Sequence, residues 1–425
     1  MTQRTLADWL AWQEGLNPKG IELGLERVRQ VWGALGAPAP ADIVISVAGT
    51  NGKGSVVAYC DAMLRTAGYR VGTYTSPHLQ RYNERIHIDG VEVSDQALCE
   101  AFAAIDDARG DIPLTYFEFG TLAALWLCAR AGLDAVVLEV GLGGRLDAVN
   151  LIDPDLAIVT SVDLDHQDWL GDDREAIGFE KAGIFRAATP AICGDPQPPA
   201  SLLDHAAAID ARLQCVGRDF AAVRRGDHWD FESPAGSRRG LPLPAMRGAH
   251  QLANAATALA GLAAIADRLP LDQRAVREGL LATQVAGRME VLPGDPLWLL
   301  DVGHNPHAAR ALAATLADQF VPGRTYAVLA MLTDKDPAGV VQALAGRVDH
   351  WLLAGLEGPR AMTAAQLQAR LPDGLDSECC SDVETALARA GSLAGKGDRV
   401  VVLGSFHTVG QARAWLGMNP PPGSL

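Results

Sequence analysis

One segment of the chain reads Val44-Ile45-Ser46-Val47-Ala48-Gly49-Thr50-Asn51-Gly52-Lys53-Gly54-Ser55. Its apolar start is typical of a buried strand, and residues 56–67 that follow it are typical of a helix. A glycine-rich turn between a strand and a helix can wrap backbone N–H groups around a phosphate, and the helix N-terminus favours negative charge. We expect Lys53 to add positive charge beside the terminal phosphates and Ser55 to offer its hydroxyl to Mg²⁺. The segment therefore predicts a phosphate-binding loop.

The spacing of this loop differs from the usual phosphate-binding pattern. That pattern has four residues between its first glycine and the Gly-Lys pair, whereas two residues separate Gly49 from Gly52, and Gly54 lies between Lys53 and Ser55. The alternative is an ordinary glycine-rich turn at the end of a strand. The strand before the loop, the helix after it and the lysine inside it favour a variant phosphate loop.

Composition limits the class of protein. The chain has 425 residues, of which 20% are charged and 48% hydrophobic, as in ordinary globular proteins of more than one domain. A formal net charge of −15 argues against a nucleic-acid partner, which requires a broad basic surface. An anionic ligand would therefore need local positive charge. Candidates next to motifs are Lys53, Arg81, Arg85, Arg145 and Arg288.

The sequence also predicts a cytoplasmic protein without a membrane partner, and we expect a monomer. Residues 1–16 carry charges and lack the apolar core of a signal peptide. No apolar run approaches the roughly 18–20 residues of a membrane span. The seven cysteines are dispersed, odd in number and without metal-ligand spacing, which indicates free thiols in a reducing compartment.

Strand-like runs alternate with helical patterns along the chain, which predicts an α/β fold with mainly parallel sheets. The runs in the first part are 43–47, 70–75, 135–140, 156–162 and 191–194, and those in the second part are 298–302, 326–332, 350–355 and 400–404. Between the two series we expect a small β excursion over 218–244 and helices over 251–266 and 271–283. A break at Leu292-Pro293-Gly294-Asp295-Pro296 predicts a first domain of residues 1–292 and a Rossmann-like second domain of residues 297–425.

Polar side chains follow several strands of the first series. Ser76 comes after the second run, Glu139 near the end of the third, and His166 after the fourth. Because carboxyl ends of parallel strands meet at one edge of a sheet, these residues could converge near Lys53 and form part of a Mg²⁺ shell. The alternatives are a surface or hydrogen-bonding role for His166 and a capping or salt-bridging role for Glu139.

A second glycine-rich loop, Gly141-Leu142-Gly143-Gly144, also follows a strand. It imitates the dinucleotide-binding fingerprint, but Leu146 stands where that pattern has glycine or alanine. A dinucleotide oxidoreductase is therefore only a minor alternative.

Six ordered motifs between residues 49 and 408 together resemble one known family. They are 49–55, Thr75-Ser76-Pro77-His78-Leu79, Leu138 to Asp147, Glu180-Lys181-Ala182-Gly183-Ile184-Phe185, Asp301-Val302-Gly303-His304-Asn305-Pro306 and Gly404-Ser405-Phe406-His407-Thr408. The chain resembles the bifunctional dihydrofolate synthase/folylpolyglutamate synthases of proteobacteria, within the Mur ligase superfamily. The resemblance implies a P-loop-type Mur ligase central domain, and the variant phosphate loop matches the form that this superfamily uses.

The resemblance implies roles in ATP and metal binding. The residues implied for ATP are Thr50, Asn51, Gly52, Lys53, Gly54, Ser55, Asn254, Arg288, Asp301 and His304, with Asn254 at the adenine and Arg288 at the γ-phosphate. The residues implied for Mg²⁺ are Ser76, Glu139, His166 and Lys181. Lys181 would be carbamylated, and its added carboxylate would bind a second Mg²⁺; a monovalent cation is also possible. The implied catalytic residues are Lys53, Lys181, His166 and Arg288.

The resemblance places the pterin of the substrate against three further segments. They are Ile21-Glu22-Leu23, Thr115-Tyr116-Phe117-Glu118 and Leu146-Asp147-Ala148. Phe117 would stack on the flat ring, and Asp147 would accept two hydrogen bonds from its aminopyrimidinone edge. Without the resemblance, Phe117 would be read as a core aromatic.

The implied reaction joins L-glutamate to the carboxylate of 7,8-dihydropteroate and adds further glutamates to reduced folates. ATP would convert the carboxylate into an acyl phosphate, and the glutamate amine would displace the phosphate. One alternative is another Mur-type ligase that acts on a nucleotide-linked cell-wall precursor. Another is a nucleotide-switch or motor NTPase, which would hydrolyse ATP without either substrate.

Overall fold

The computed structural model describes residues 4–17 and 19–419, and they form two compact units. The described residues up to Ala245, together with Leu252–Thr283, make up the first unit, and Met246–Gln251 with 284–419 make up the second. The predicted break at 292–297 is therefore too late in the chain. Residues 284–292 belong to the second unit because the strand Glu290–Leu292 pairs antiparallel with Leu297–Leu300.

An eight-stranded sheet forms the centre of the first unit. Its strands are β1 (Ile43–Ala48), β2 (Val71–Tyr74), β3 (Ile86–Ile88), β4 (Val91–Glu92), β5 (Ala135–Glu139), β6 (Leu156–Val159), β7 (Pro190–Cys193) and β8 (Arg212–Cys215). They lie in the order β4-β3-β2-β5-β1-β6-β7-β8, and the six from β2 to β8 in that order are parallel. Every residue of β1 and β5 is buried, as expected for strands covered on both faces.

The helices of this part of the chain precede, connect or follow the strands. They are α1 (Leu6–Glu14), α2 (Glu26–Ala34), α3 (Lys53–Thr66), α4 (Asp95–Arg109), α5 (Tyr116–Ala131), α6 (Gln167–Leu170), α7 (Arg174–Ala182), α8 (Ala200–Ala208), α9 (Ala249–Ala264) and α10 (Gln273–Ala282). Two short 3₁₀ helices span Tyr82–Arg85 and Ala148–Leu151.

Side-chain caps set the start of several helices. Thr115 and Glu118 form a reciprocal capping box at α5, while Ser94 and Asp173 cap α4 and α7. Such caps satisfy N–H groups that have no partner inside the helix.

The predicted β excursion is a three-stranded antiparallel sheet. Its strands are β9 (Ala221–Arg225), β10 (His228–Glu232) and β11 (Arg238–Pro242). Trp229 and Phe231 of β10 are buried, so one face of this sheet has its own apolar packing.

A six-stranded sheet forms the second unit. Its strands are β12 (Glu290–Leu292), β13 (Leu297–Leu300), β14 (Thr325–Leu329), β15 (His350–Ala354), β16 (Ser377–Cys380) and β17 (Arg399–Leu403). Their order is β12-β13-β17-β14-β15-β16, parallel except for β12. The helices are α11 (Pro306–Asp318), α12 (Pro337–Ala343), α13 (Ala364–Gln368), α14 (Val383–Leu393) and α15 (Phe406–Met418).

The α/β fold with mainly parallel sheets is confirmed, and every strand-like run predicted from the sequence overlaps a strand. Within the described part of the chain, no helix combines the length and the apolar character that a membrane span requires.

Candidate active site

The phosphate loop joins β1 to α3 as predicted, but the helix begins three residues earlier than expected, at Lys53 rather than Val56. Gly52 is the N-cap, with a left-handed φ of 90° that favours glycine. Lys53, Gly54 and Ser55 therefore form the first helical turn. First-turn N–H groups have no partner within the helix, and Gly52 has no side chain that could cap them. This geometry suits an anionic ligand.

Hydrogen bonds to the chain after β6 hold the loop in place. The Thr50 N–H donates to the Ser161 carbonyl at 2.8 Å, and the Asn51 N–H donates to Ser161 Oγ at 3.1 Å. The Asn51 carbonyl accepts a 2.6 Å bond from Thr160 Oγ1. Gly49 has to be glycine because a Cβ there would overlap the Thr160 side chain. The loop is thus fixed against the neighbouring strand before any ligand binds.

Lys53 extends back over the loop. Its Nζ donates to the Gly49 carbonyl at 3.0 Å and lies 3.4 Å from the Thr50 carbonyl. The Asn254 amide lies against Gly52, since a Cβ on that glycine would be 2.5 Å from Asn254 Oδ1. The structure therefore places Asn254 beside the phosphate loop, while its contact with adenine stays a prediction.

Glu139 lies where the loop and two strand ends meet. Its Oε2 accepts a 3.2 Å bond from the Ser76 N–H, and a Cβ on Gly54 would be 3.5 Å from the same oxygen. Glu139 is 4% exposed. A nearly buried carboxylate beside a hydroxyl residue and a phosphate loop offers the hard oxygen ligands that Mg²⁺ prefers.

His166 follows β6. The strands β2, β5, β1 and β6 are adjacent in the sheet, and their carboxyl ends carry or lead to Ser76, Glu139, the phosphate loop and His166. His166 has a left-handed φ of 52°, which is uncommon for a residue other than glycine. Its N–H bonds Asp165 Oδ1 at 2.9 Å, and its Nε2 lies 4.0 Å from that oxygen. The strained backbone is consistent with a functional position.

Lys181 is buried in the last turn of α7. The pKa of Lys181 is lowered from 10.5 to about 7, chiefly by burial and also by the positive charge of Lys53, while Asp165 and Asp147 act in the opposite direction. A substantial fraction of Lys181 is therefore the neutral amine near neutral pH. In the described ranges, 4–17 and 19–419, no cluster of three or more His, Cys, Asp or Glu side chains has metal-binding geometry.

Asp147 is buried and its carboxylate is bonded to the backbone. Its Oδ2 accepts from the Leu142 N–H at 2.8 Å, and its Oδ1 accepts from the Val149 N–H at 2.9 Å. Burial raises the pKa of this carboxyl to about 7, although these backbone bonds and the charge of Lys53 lower it. Asp147 therefore holds the loop after β5 in shape, a role that the sequence did not indicate.

The three segments predicted to contact the pterin lie together. The Arg27 guanidinium links two of them, because its Nη2 bonds the Glu22 carbonyl at 2.7 Å and Glu118 Oε1 at 2.9 Å. The third is joined by the Gly24 N–H, which donates to the Leu146 carbonyl at 3.1 Å. Sequence reasoning missed Arg27, because it lies in an ordinary helical pattern outside every motif.

Phe117 is half-buried against the loop after β5. A Cβ on Gly141 would be 2.5 Å from the Phe117 ring, and the ring centroid lies 6.1 Å from that of Tyr74. The loop leads only into a four-residue 3₁₀ helix, and not into the long helix that a dinucleotide fingerprint opens. The dinucleotide hypothesis is therefore wrong, and Gly141 instead allows the close approach of Phe117.

In the second unit, Arg288, Asp301 and His304 lie in one connected region. The Asp301 carboxylate accepts bonds from the Met289 N–H at 3.0 Å and the Gly303 N–H at 2.8 Å. The Arg288 guanidinium lies 5.3 Å from the Phe406 ring centroid, and the His304 ring lies 6.4 Å from the same ring. Arg288 and His304 thus share Phe406 as a neighbour.

Comparisons with known proteins give matches over nearly the whole chain. Residues 47–262 match the Mur ligase middle domain, and residues 287–406 match the Mur ligase glutamate ligase domain. The dihydrofolate synthase/folylpolyglutamate synthase of Escherichia coli is 47% identical, with 95% of this chain and 94% of the relative covered.

Solved structures give the same result. The structure of Escherichia coli FolC in complex with DHPP and ADP superimposes with a TM-score of 0.94 at 46% identity, covering 98% of both chains. The Yersinia pestis folylpolyglutamate synthase/dihydrofolate synthase complexed with AMPPNP and a Mn ion gives 0.91 at 48% identity, covering 97% of this chain and 98% of that one.

Proposed function

The chain belongs to the dihydrofolate synthase/folylpolyglutamate synthase family of Mur ligases, and we propose that it forms an amide between L-glutamate and 7,8-dihydropteroate and then adds glutamates to reduced folates. The observation that carries this proposal is the Glu139 carboxylate, which lies beside both the phosphate loop and Ser76. This arrangement provides for a nucleoside triphosphate and a divalent cation at one sheet edge. The relatives reported above favour this reading over the cell-wall alternative.

ATP is needed because a carboxylate is a poor electrophile. Transfer of the γ-phosphoryl group gives an acyl phosphate, the glutamate amine attacks its carbonyl carbon, and inorganic phosphate leaves. We assign the phosphates of ATP to the loop residues Thr50, Asn51, Gly52, Lys53, Gly54 and Ser55. The positive charge of Lys53 stabilises the phosphoryl group during its transfer. We assign Asn254, which lies beside Gly52, to the adenine of the same nucleotide.

We propose that Ser76, Glu139 and His166 hold one Mg²⁺ and that a carbamate on Lys181 holds a second. The donor set fits, because the Glu139 carboxylate lies next to both the loop and the hydroxyl-bearing residue Ser76, and because the buried Lys181 can be a neutral amine near pH 7. A divalent cation here would neutralise phosphate charge. ADP or AMPPNP with Mn in solved relatives supports the nucleotide and the divalent cation. The second ion and a monovalent cation rest on the resemblance.

We assign the pterin end of the substrate to the segments joined by Arg27. Phe117 offers an aromatic face, and Tyr116 precedes it on α5. The remaining members of this group are Ile21, Glu22, Leu23, Thr115, Glu118, Leu146, Asp147 and Ala148. Glu118 and Asp147 already accept bonds from Arg27 and from backbone N–H groups, so we assign them to shaping this surface.

For the second unit, we assign Arg288, Asp301 and His304 to the nucleotide, with Arg288 at the γ-phosphate. The shared contact of Arg288 and His304 with Phe406 supports a common task. The expected monomeric state and cytoplasmic location stay predictions.

The proposal is tested by ADP release from the purified protein with ATP and L-glutamate, in the presence and absence of dihydropteroate or tetrahydrofolate. We expect turnover only when an acceptor is present, with mass spectrometry showing a product larger by one glutamyl residue. ADP release that is independent of acceptor and glutamate would instead indicate a simple NTPase.

A further inference from the structure

Arg85 is a buried arginine without a role in the proposed binding of ATP, metal or pterin. It ends the 3₁₀ helix Tyr82–Arg85 and is 8% exposed. Its Nε donates to His78 Nδ1 at 2.9 Å. An imidazole is neutral or positively charged, so His78 gives Arg85 a hydrogen-bond acceptor and not a counter-ion.

Aromatic rings surround the Arg85 guanidinium. Its central carbon lies 5.1 Å from the Tyr82 ring centroid and 5.7 Å from that of Tyr116. Such rings orient a planar cation and exclude water from its faces.

Among the residues that the structure describes, no carboxylate forms an ion pair with Arg85. The adjacent Glu84 is engaged elsewhere, because its carboxylate accepts the N–H groups of Leu79, Gln80 and Arg81 at 2.7–2.9 Å. Burying a cation without a counter-ion is costly, so a fixed guanidinium of this kind is well suited to an anionic ligand.

The position of Arg85 limits which anion this can be. The Arg85 carbonyl accepts the Thr75 N–H at 2.8 Å, and Thr75 directly precedes Ser76, the proposed metal ligand. On its other side, Tyr116 directly precedes Phe117, the proposed pterin contact. Arg85 therefore lies between the segment of the proposed metal ligand Ser76 and the segment of the proposed pterin contact Phe117.

We propose that Arg85 binds the α-carboxylate of the terminal glutamate of a reduced folate, and so determines specificity for the second of the two ligations. Dihydropteroate has one carboxylate, and that group reacts. Tetrahydrofolate has a reacting γ-carboxylate and also an α-carboxylate, which needs a partner in a closed site. The incoming glutamate is the weaker candidate, because the match to the glutamate ligase domain covers residues 287–406 and excludes Arg85.

This inference rests on the proposed function, so wild-type activity with dihydropteroate and with tetrahydrofolate is measured first; absence of both would refute the proposed function and not the role of Arg85. Arg85→Gln is then compared with wild type. A lost charge-assisted hydrogen bond should raise KM for tetrahydrofolate about 10- to 100-fold. We expect kcat to change little, and kcat/KM for dihydropteroate to stay within about threefold. Arg65→Gln, which removes an arginine paired with Asp61, serves as the control.

A substrate lacking the α-carboxylate provides a second readout. In it, 4-aminobutyrate replaces the terminal glutamate of tetrahydrofolate, so that only the reacting carboxylate remains. Wild type should use this analogue about 10- to 100-fold less well than tetrahydrofolate, whereas Arg85→Gln should hardly distinguish the two. Arg85→Lys keeps the charge and should give intermediate discrimination, which keeps the test decisive if the Gln variant fails to fold.

Three results would overturn the proposal. Equal losses on dihydropteroate and tetrahydrofolate would show a general structural role. A KM for L-glutamate raised equally in both reactions would assign Arg85 to the incoming amino acid. Undiminished discrimination against the analogue in Arg85→Gln would show that the α-carboxylate binds elsewhere.

Discussion

The backbone N–H of Ser76 donates to Oε2 of Glu139 across 3.2 Å, and this bond ties together the ends of two neighbouring strands. The same oxygen lies next to Gly54 in the first turn of α3. The Glu139 carboxylate therefore lies beside both the loop assigned to ATP and the residue assigned to the metal.

Replacement of Glu139 by Gln should raise the Mg²⁺ concentration needed for half-maximal activity, because the amide keeps the shape but loses the charge. His166→Ala should do the same by removing a nitrogen ligand. Titration of activity against Mg²⁺ at saturating ATP measures both effects. Glu278→Gln, which removes a carboxylate from an exposed ion pair with Arg274, is the control. An unchanged Mg²⁺ requirement in both active-site variants would remove the metal assignment.

Lys53→Ala should lower kcat by on the order of 10²–10³, the usual effect of losing a positioned electrostatic group. The variant should fold, since the loop that Lys53 bonds at the Gly49 and Thr50 carbonyls is also held by the hydrogen bonds of Asn51 to Thr160 and Ser161. Thermal unfolding and ADP release on the same preparation separate the two effects. Near-normal turnover would show that this loop does not bind the transferred phosphate.

Most of the architecture follows from the sequence because buried parallel strands leave nearly continuous apolar runs, as in β1 and β5. The polar residues after these runs were also predictable, since strand order places their carboxyl ends at one edge. The domain boundary could not be predicted. The Pro-Gly-rich segment between β12 and β13 is typical of a linker, but the two strands pair with each other and belong to the same unit.

The site residues that belong to sequence motifs could be predicted. The roles of residues that depend on tertiary contacts could not. Arg27 joins two predicted segments through Glu22 and Glu118 without any local signature. Likewise, nothing in the sequence indicated that the Asp147 carboxylate would be occupied by two backbone N–H groups. Such contacts depend on residues brought together only by the fold.

Lys181 should carry a carbamate in crystals grown with bicarbonate. Only the neutral amine attacks CO₂, and a pKa lowered to about 7 makes that form abundant at pH 8. A ¹³C resonance from labelled bicarbonate, absent in Lys181→Met, would detect it in solution. Lys181→Arg should be inactive because it restores positive charge where a carboxylate is needed. An unmodified ammonium in both experiments would defeat the assignment.

The same shift predicts how stability depends on pH in CO₂-free buffer. Between pH 7 and 10.5 the unfolded lysine binds a proton that the folded one does not, so the free energy of unfolding should rise with pH over this window. Lys181→Met should lack this contribution. Urea unfolding of both proteins at pH 7 and 9 measures the difference. The lowered pKa would be contradicted if the free energy of unfolding of the wild type did not rise relative to that of Lys181→Met between pH 7 and pH 9.

Asp147→Ala should lower stability and both ligation activities together. The change leaves the Leu142 and Val149 N–H groups without their carboxylate partner in a buried setting, at about 1–3 kcal/mol for each unsatisfied group. The loop that these bonds shape contacts Phe117 at Gly141, so its loss should affect any substrate that places a pterin there. Unfolding midpoints and kcat/KM for dihydropteroate and tetrahydrofolate, measured on one preparation, provide the comparison.

The alternative for Asp147 is the direct pterin contact that the family resemblance implies. In that case dihydropteroate should lose more than tetrahydrofolate, since it has no glutamate tail to bind through, while the unfolding midpoint should hardly change. Phe117→Leu is the matched variant, because it removes the aromatic face and leaves both backbone bonds of Asp147 in place. If Asp147 acts through the loop, Phe117→Leu should weaken substrate binding without the loss of stability that Asp147→Ala shows. A stable Asp147→Ala protein with a selective defect on dihydropteroate would instead establish the direct contact.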